Sequence, residues 1–138
     1  MGFAVPVCTG AQLANPNLRP LVIVGDGVFQ MTGMEITTAV RYHLNPIIIL
    51  LNNRGHDTEW RLLDGPLKDL QPWQYNAIPE IVGGEKGFLI NTEDEFDRAS
   101  EAASKHLDSF CILEVRLDPN DGSDALQRLT DVLCKRVR

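Results

Sequence analysis

Positive charge is in short supply: 13 lysines and arginines face 19 aspartates and glutamates, for a formal net charge of −6. A chain built to grip a nucleic-acid backbone carries the opposite balance, so nucleic acid is excluded as the main partner, and an anionic ligand would need a cation to mediate it. Long hydrophobic runs are missing too. The stretch from Pro46 to Leu51 falls far short of the roughly 20 residues that cross a bilayer, and Met1 to Gly10 lacks the basic start of a secretory leader. No membrane association and a cytoplasmic location are therefore expected. Cysteine is sparse and unpatterned: Cys8, Cys111 and Cys134 are odd in number and far apart, so neither a disulfide framework nor a zinc site is expected, and all three read as small apolar residues. Neither G-x-G-x-x-G nor G-x-x-x-x-G-K-[ST] occurs, which disfavours a dinucleotide or nucleoside-triphosphate fold.

What is present is ordinary globular material, 43% hydrophobic and 23% charged across 138 residues, enough for one domain with a single core. Gly2 to Asn15 reads as a buried helix. Leu21 to Val24 is a short apolar run closed by Gly25, and Ile47 to Leu51 is another closed by Asn52-Asn53-Arg54-Gly55; hydrophobicity on both faces belongs to central parallel strands. Between them, Thr32-Gly33-Met34-Glu35 has the form of a capping box and predicts a helix from about Gly33 to His43.

Arg54 to Gln74 shows no sustained period and reads as a long ordered loop, a kind that is often functional. Tyr75 to Val82 suggests a short helix and Gly87 to Ile90 an edge strand. A second capping box, Thr92 to Glu95, opens an amphipathic helix through about Leu107. Phe110 to Leu117 reads as a strand. Ser123 to about Lys135 reads as a final helix with Leu126, Leu129 and Leu133 on one face. The alternation implies a doubly wound α/β fold: a mostly parallel sheet with helices on both faces, and ligands beyond the carboxyl ends of the strands.

Two candidate ligand-binding segments lie at such ends. Gly25 and Gly27 are read as glycines that free the backbone for unusual dihedrals and close approach to a ligand, with the Asp26 carboxylate between them. A tight turn with a helix-capping Asp is the plainer reading of the same tripeptide. The second strand end offers the Asn53 amide oxygen and the Gly55 carbonyl. Mg²⁺ takes about six oxygens and often keeps several from water and phosphate. Asp26, Asn53 and Gly55 with two diphosphate oxygens and a water complete that number, and a single carboxylate suits a ligand that is itself an anion.

Gly25-Asp26-Gly27, an intervening helix, and Asn52-Asn53 closing the next strand resemble the thiamine-diphosphate signature. Gly25 to Thr32 with Glu35-Ile36, and Asn52 to Glu59, narrow the resemblance to the pyruvate and indolepyruvate decarboxylase branch of the 2-oxo acid decarboxylases. It extends through Asp64-Gly65-Pro66 and Trp73-Gln74-Tyr75 to the terminal helix. One departure is His56-Asp57-Thr58, where that branch commonly carries Tyr-Thr before the residue preceding its glutamate.

The resemblance implies thiamine diphosphate and Mg²⁺ as cofactors and a small 2-oxo acid as substrate, decarboxylated non-oxidatively to an aldehyde. It implies Asp26, Asn53 and Gly55 as metal ligands, with Gly25, Gly27 and Val28 against the diphosphate. Glu59, four positions after Gly55, is implied as the catalytic proton donor, an exposed loop glutamate being the alternative; His56 either meets substrate or caps the loop. Residues 1–138 would then form the C-terminal diphosphate-binding domain, truncated at its N-terminal side. A pyrimidine-binding domain in cis or trans and homo-oligomerisation would complete the enzyme, the chain alone being inactive. Acetolactate synthase or benzoylformate decarboxylase, and a non-catalytic cofactor- or partner-binding module, are the alternatives.

Overall fold

The computed structural model describes residues 1–56, 70–119 and 121–137. Four strands form one all-parallel sheet: β1 (Leu21–Gly25), β2 (Ile47–Asn52), β3 (Lys86–Ile90) and β4 (Cys111–Arg116), in spatial order β1-β2-β4-β3. The helices are α1 (Ala4–Ala14), α2 (Asp26–Thr32), α3 (Ile36–Arg41), α4 (Ile78–Val82), α5 (Glu93–Lys105) and α6 (Asp124–Val137), with 3₁₀ turns at Gly33–Glu35 and Tyr75–Ala77. The doubly wound α/β class expected from the sequence is the one observed.

Side chains alternate across each strand, so the register sorts the core into two layers. Val24, Ile48, Leu50 and Ile112 face Val5, Phe29, Ile36 and Tyr75, whereas Leu113 and Cys111 face Ala99 and Ala103 of α5. β2 and β4 are covered on both faces, as continuous apolar strands require. β1 is not. It pairs only with β2 among the described residues, and Leu21 and Ile23 are 58% and 63% exposed, so the expected central position is corrected to an edge with one open face.

The Thr32 capping box is also corrected. β1 turns directly into α2 at Asp26, and the chain stays helical or 3₁₀ to Arg41 with Gly33 N–H already donating to Phe29. Thr32 therefore has no free helix start to cap, and its hydroxyl donates to the Gly2 carbonyl at 2.7 Å. The second box does form: Thr92 Oγ1 accepts from Glu95 N–H, while Glu95 Oε2 reaches back to Asn91 N–H at 2.7 Å. Among the described side chains of α6, Thr130 is buried and Leu126, Leu133 and Cys134 are half-buried, whereas Leu129, expected on the same face, is 57% exposed.

At the amino ends of the strands Arg19 acts as a clasp. Its guanidinium donates to the carbonyls of Asn45, Ser104, Ala103 and His106 at 2.6–2.8 Å, joining the entry to β2 with the C-terminus of α5, where a cation also meets the negative end of the helix dipole.

Candidate functional site

The carboxyl ends of β1 and β2 are adjacent because the two strands pair in register, Gly25 opposite Leu51. Gly25, Asp26, Gly27, Val28, Asn53 and Gly55 all line one cavity of about 380 Å³. The structure thus brings together every cofactor and metal residue expected from the sequence. Glu59 lies outside the described residues.

Asp26 is 1% exposed. Its Oδ1 accepts the Gly27 N–H at 2.8 Å, while Oδ2 is buried with no hydrogen-bond partner. Burial pushes its carboxyl above the usual carboxylate range, opposed by the N–H groups of Gly27, Arg54 and Gly55 and by the charge of His56. A buried carboxylate oxygen without a hydrogen-bond partner is costly unless a cation meets it.

The glycines serve differently from the sequence expectation. Gly25 has φ −76° and ψ 155°, ordinary extended backbone, and Gly27 is not among the residues with positive φ. The left-handed residue at the site is Arg54, with φ 65°, which turns the chain between Asn53 and Gly55. Gly27 is needed for space: a Cβ there would lie 2.3 Å from His56 Cε1. His56 is thereby packed against the start of α2, within the cavity and beside Asp26.

The donor set fits a hard divalent cation. Among the described residues no group of three or more His, Cys, Asp or Glu side chains could hold a metal, so a cation here would rely on one carboxylate, the Asn53 amide, the Gly55 carbonyl and oxygens of its ligand. That mixture suits Mg²⁺ with a phosphate-bearing partner.

Sequence reasoning missed Glu114. It is fully buried on β4, opposite Leu50 of β2. Oε1 accepts from Asn52 Nδ2 at 2.8 Å and Oε2 from Asn76 N–H at 2.9 Å, with Arg116 Nε 3.8 Å from Oε1. The signal was available, since a glutamate inside the apolar run Phe110 to Val115 must be partnered or expelled. Asn76 leads on to the site through Tyr75, whose hydroxyl accepts from Gln30 Nε2 at 2.8 Å and whose ring meets Phe29 edge-on at 5.7 Å. Burial pushes the Tyr75 phenol up to about 12.

A family profile described as "Thiamine pyrophosphate enzyme, C-terminal TPP binding domain" matches residues 1–115. A probable pyruvate decarboxylase of Schizosaccharomyces pombe is 36% identical over 91% of this chain and 23% of its own length. An alpha-keto-acid decarboxylase of Mycolicibacterium paratuberculosis is 34% identical over 85% of this chain and 22% of its own. An indole-3-pyruvate decarboxylase of Azospirillum brasilense is 34% identical over 93% and 24%. The chain therefore spans about a quarter of the length of these relatives.

Proposed function

From the premise that the chain belongs to the thiamine pyrophosphate enzyme family, through its C-terminal cofactor-binding domain, we propose that it is the diphosphate- and Mg²⁺-anchoring part of a 2-oxo acid decarboxylase. The unpartnered, buried Oδ2 of Asp26 beside Asn53 and Gly55 is the observation that carries this reading. Asp26, Asn53 and the Gly55 carbonyl would hold Mg²⁺, and the backbone at Gly25, Gly27 and Val28 would receive the diphosphate. The cation reconciles an anionic ligand with a protein of net charge −6.

When bound, thiamine diphosphate supplies the nucleophilic carbon and electron sink that decarboxylation of a 2-oxo acid requires. Glu59 would give its proton to the reacting carbon before the aldehyde departs. The remaining contributions come from a pyrimidine-binding domain in cis or trans and from a homo-oligomeric assembly, without which this chain does not turn over. No described helix is long and apolar enough to cross a membrane, and a cytoplasmic setting is part of the proposal.

Calorimetric titration of the chain with thiamine diphosphate tests this, with Mg²⁺ and then with a chelator. Binding should require the metal. Equal binding in both conditions would remove the cation from the proposal.

A further inference from the structure

A buried glutamate in a strand core is an expensive choice, since an apolar residue of similar volume is often as stable or more so. Glu114 is retained among Ile112, Leu113 and Leu50, each at most 1% exposed. Both of its oxygens accept hydrogen bonds, and the two donors come from different parts of the chain. Asn52 ends β2 and immediately precedes Asn53. Asn76 sits in the Tyr75–Ala77 turn.

Each donor is also held from a second side. The Asn52 carbonyl accepts from Leu117 N–H at 3.0 Å. The Asn76 carbonyl lies so close to β3 that a Cβ on Gly87 would fall 1.8 Å from it. A continuous circuit results. It runs from α2, which begins with Asp26, through Phe29 and Gln30 to Tyr75, then through Asn76 and Glu114 to Asn52 and so to Asn53. The two strand ends that bear Asp26 and Asn53, already joined by the direct pairing of β1 with β2, are thus linked a second time through one carboxylate.

We infer that Glu114 is a positioning residue for the cation site, fixing the end of β2 so that Asn53 and Gly55 sit at the spacing a small octahedral ion demands. The inference rests on the reading of that corner as a Mg²⁺–diphosphate site. Its signature is selectivity. Mg²⁺ demands near-ideal geometry whereas Ca²⁺ accepts irregular and longer contacts, so loosening the support should cost Mg²⁺ more than Ca²⁺.

The experiment measures thiamine diphosphate binding by calorimetry with Mg²⁺ or Ca²⁺, for the wild type, Glu114→Gln, Asn52→Asp and the double variant. Glu114→Gln keeps the volume but sets an amide donor where an acceptor stood. Its preference for Mg²⁺ over Ca²⁺ should fall by about tenfold, the low end for losing a group that orients metal ligands, while Ca²⁺-supported binding changes little. Asn52→Asp sets two carboxylates against each other and should lose the preference and fold poorly. In the double variant the donor and acceptor of that pair exchange places. The introduced amide N–H donates to the introduced carboxylate and the amide oxygen accepts from Asn76 N–H, so the preference should return.

Unchanged selectivity in Glu114→Gln overturns the inference, as does an equal loss with both cations that the double variant does not repair. If Glu114→Gln does not fold, the double variant decides: restored preference supports the inference and absent preference overturns it. Wild type that binds with neither cation overturns the cofactor reading itself, a result distinct from intact binding with unaltered selectivity.

Discussion

The imidazole of His56 occupies the space where a side chain at residue 27 would stand, within 2.3 Å of an added Cβ. Gly27 and His56 are therefore one packing unit at the mouth of the candidate site, although 29 positions separate them in sequence.

Replacing Gly27 by Ala should displace the ring rather than the backbone, because the near atoms belong to the far end of the side chain. The stability loss should stay at about 1 kcal/mol, the low end for overpacking, while metal-dependent cofactor affinity falls. Adding His56→Ala to Gly27→Ala should recover the stability. Urea denaturation of the single and double variants measures this, and no recovery would place the clash elsewhere.

Asp26→Asn should stabilise the metal-free protein and abolish stabilisation by Mg²⁺ with thiamine diphosphate. The sign follows from linkage. Burial raises the folded-state value of Asp26 above its ordinary 3.8, so its stabilising contribution is fully present below that ordinary value and lost as pH rises through the folded value. The wild type should thus gain stability relative to Asp26→Asn as pH falls from neutral into the acid range. Thermal denaturation of both proteins across that range, without metal, should show the difference narrowing; a constant difference would mean that Asp26 bears no burial cost.

Arg19→Ala removes four hydrogen bonds to carbonyl oxygens at 2.6–2.8 Å. A loss of about 2–4 kcal/mol is expected, since bonds to charged groups contribute more than neutral ones and are not additive. Arg19→Lys should recover less than half, because a single ammonium cannot span the positions of a planar fork. Denaturant midpoints decide, and full recovery by Lys would show that charge alone suffices.

In the assembled enzyme Glu59→Gln should lower kcat by roughly 10²- to 10⁴-fold, the usual contribution of a general acid, with cofactor affinity nearly unchanged. Near-normal turnover at saturating substrate would return Glu59 to the status of a loop residue.

The sequence disclosed most of the scaffold because apolar runs closed by glycine or asparagine are local signals. Leu21 to Gly25 and Ile47 to Asn52 could be read from composition and length alone, and so could the two strand ends that meet at the cavity. Relations between distant residues were not local. Nothing beside Gly27 in the chain announces His56, and nothing beside Arg19 announces the carbonyls of Ala103 and His106. The helix beginning at Asp26 was hidden because Gly27 weakens its first turn, while Thr32 to Glu35 offered a stronger but false start. The edge position of β1 escaped as well, since two-sided hydrophobicity says that a strand has an apolar face, not that something covers it.

That open face has a practical side. A strand whose outer edge is unpaired among the described residues and whose Leu21 and Ile23 face outward is a template for adding further strands, so handling of the isolated chain should be limited by precipitation before it is limited by unfolding. Ile23→Lys would place a charge on the outward side of β1 without touching Val24 or Asp26. The protein should then stay dispersed at concentrations where the parent sequence turns cloudy, with the cavity at the strand ends unaltered.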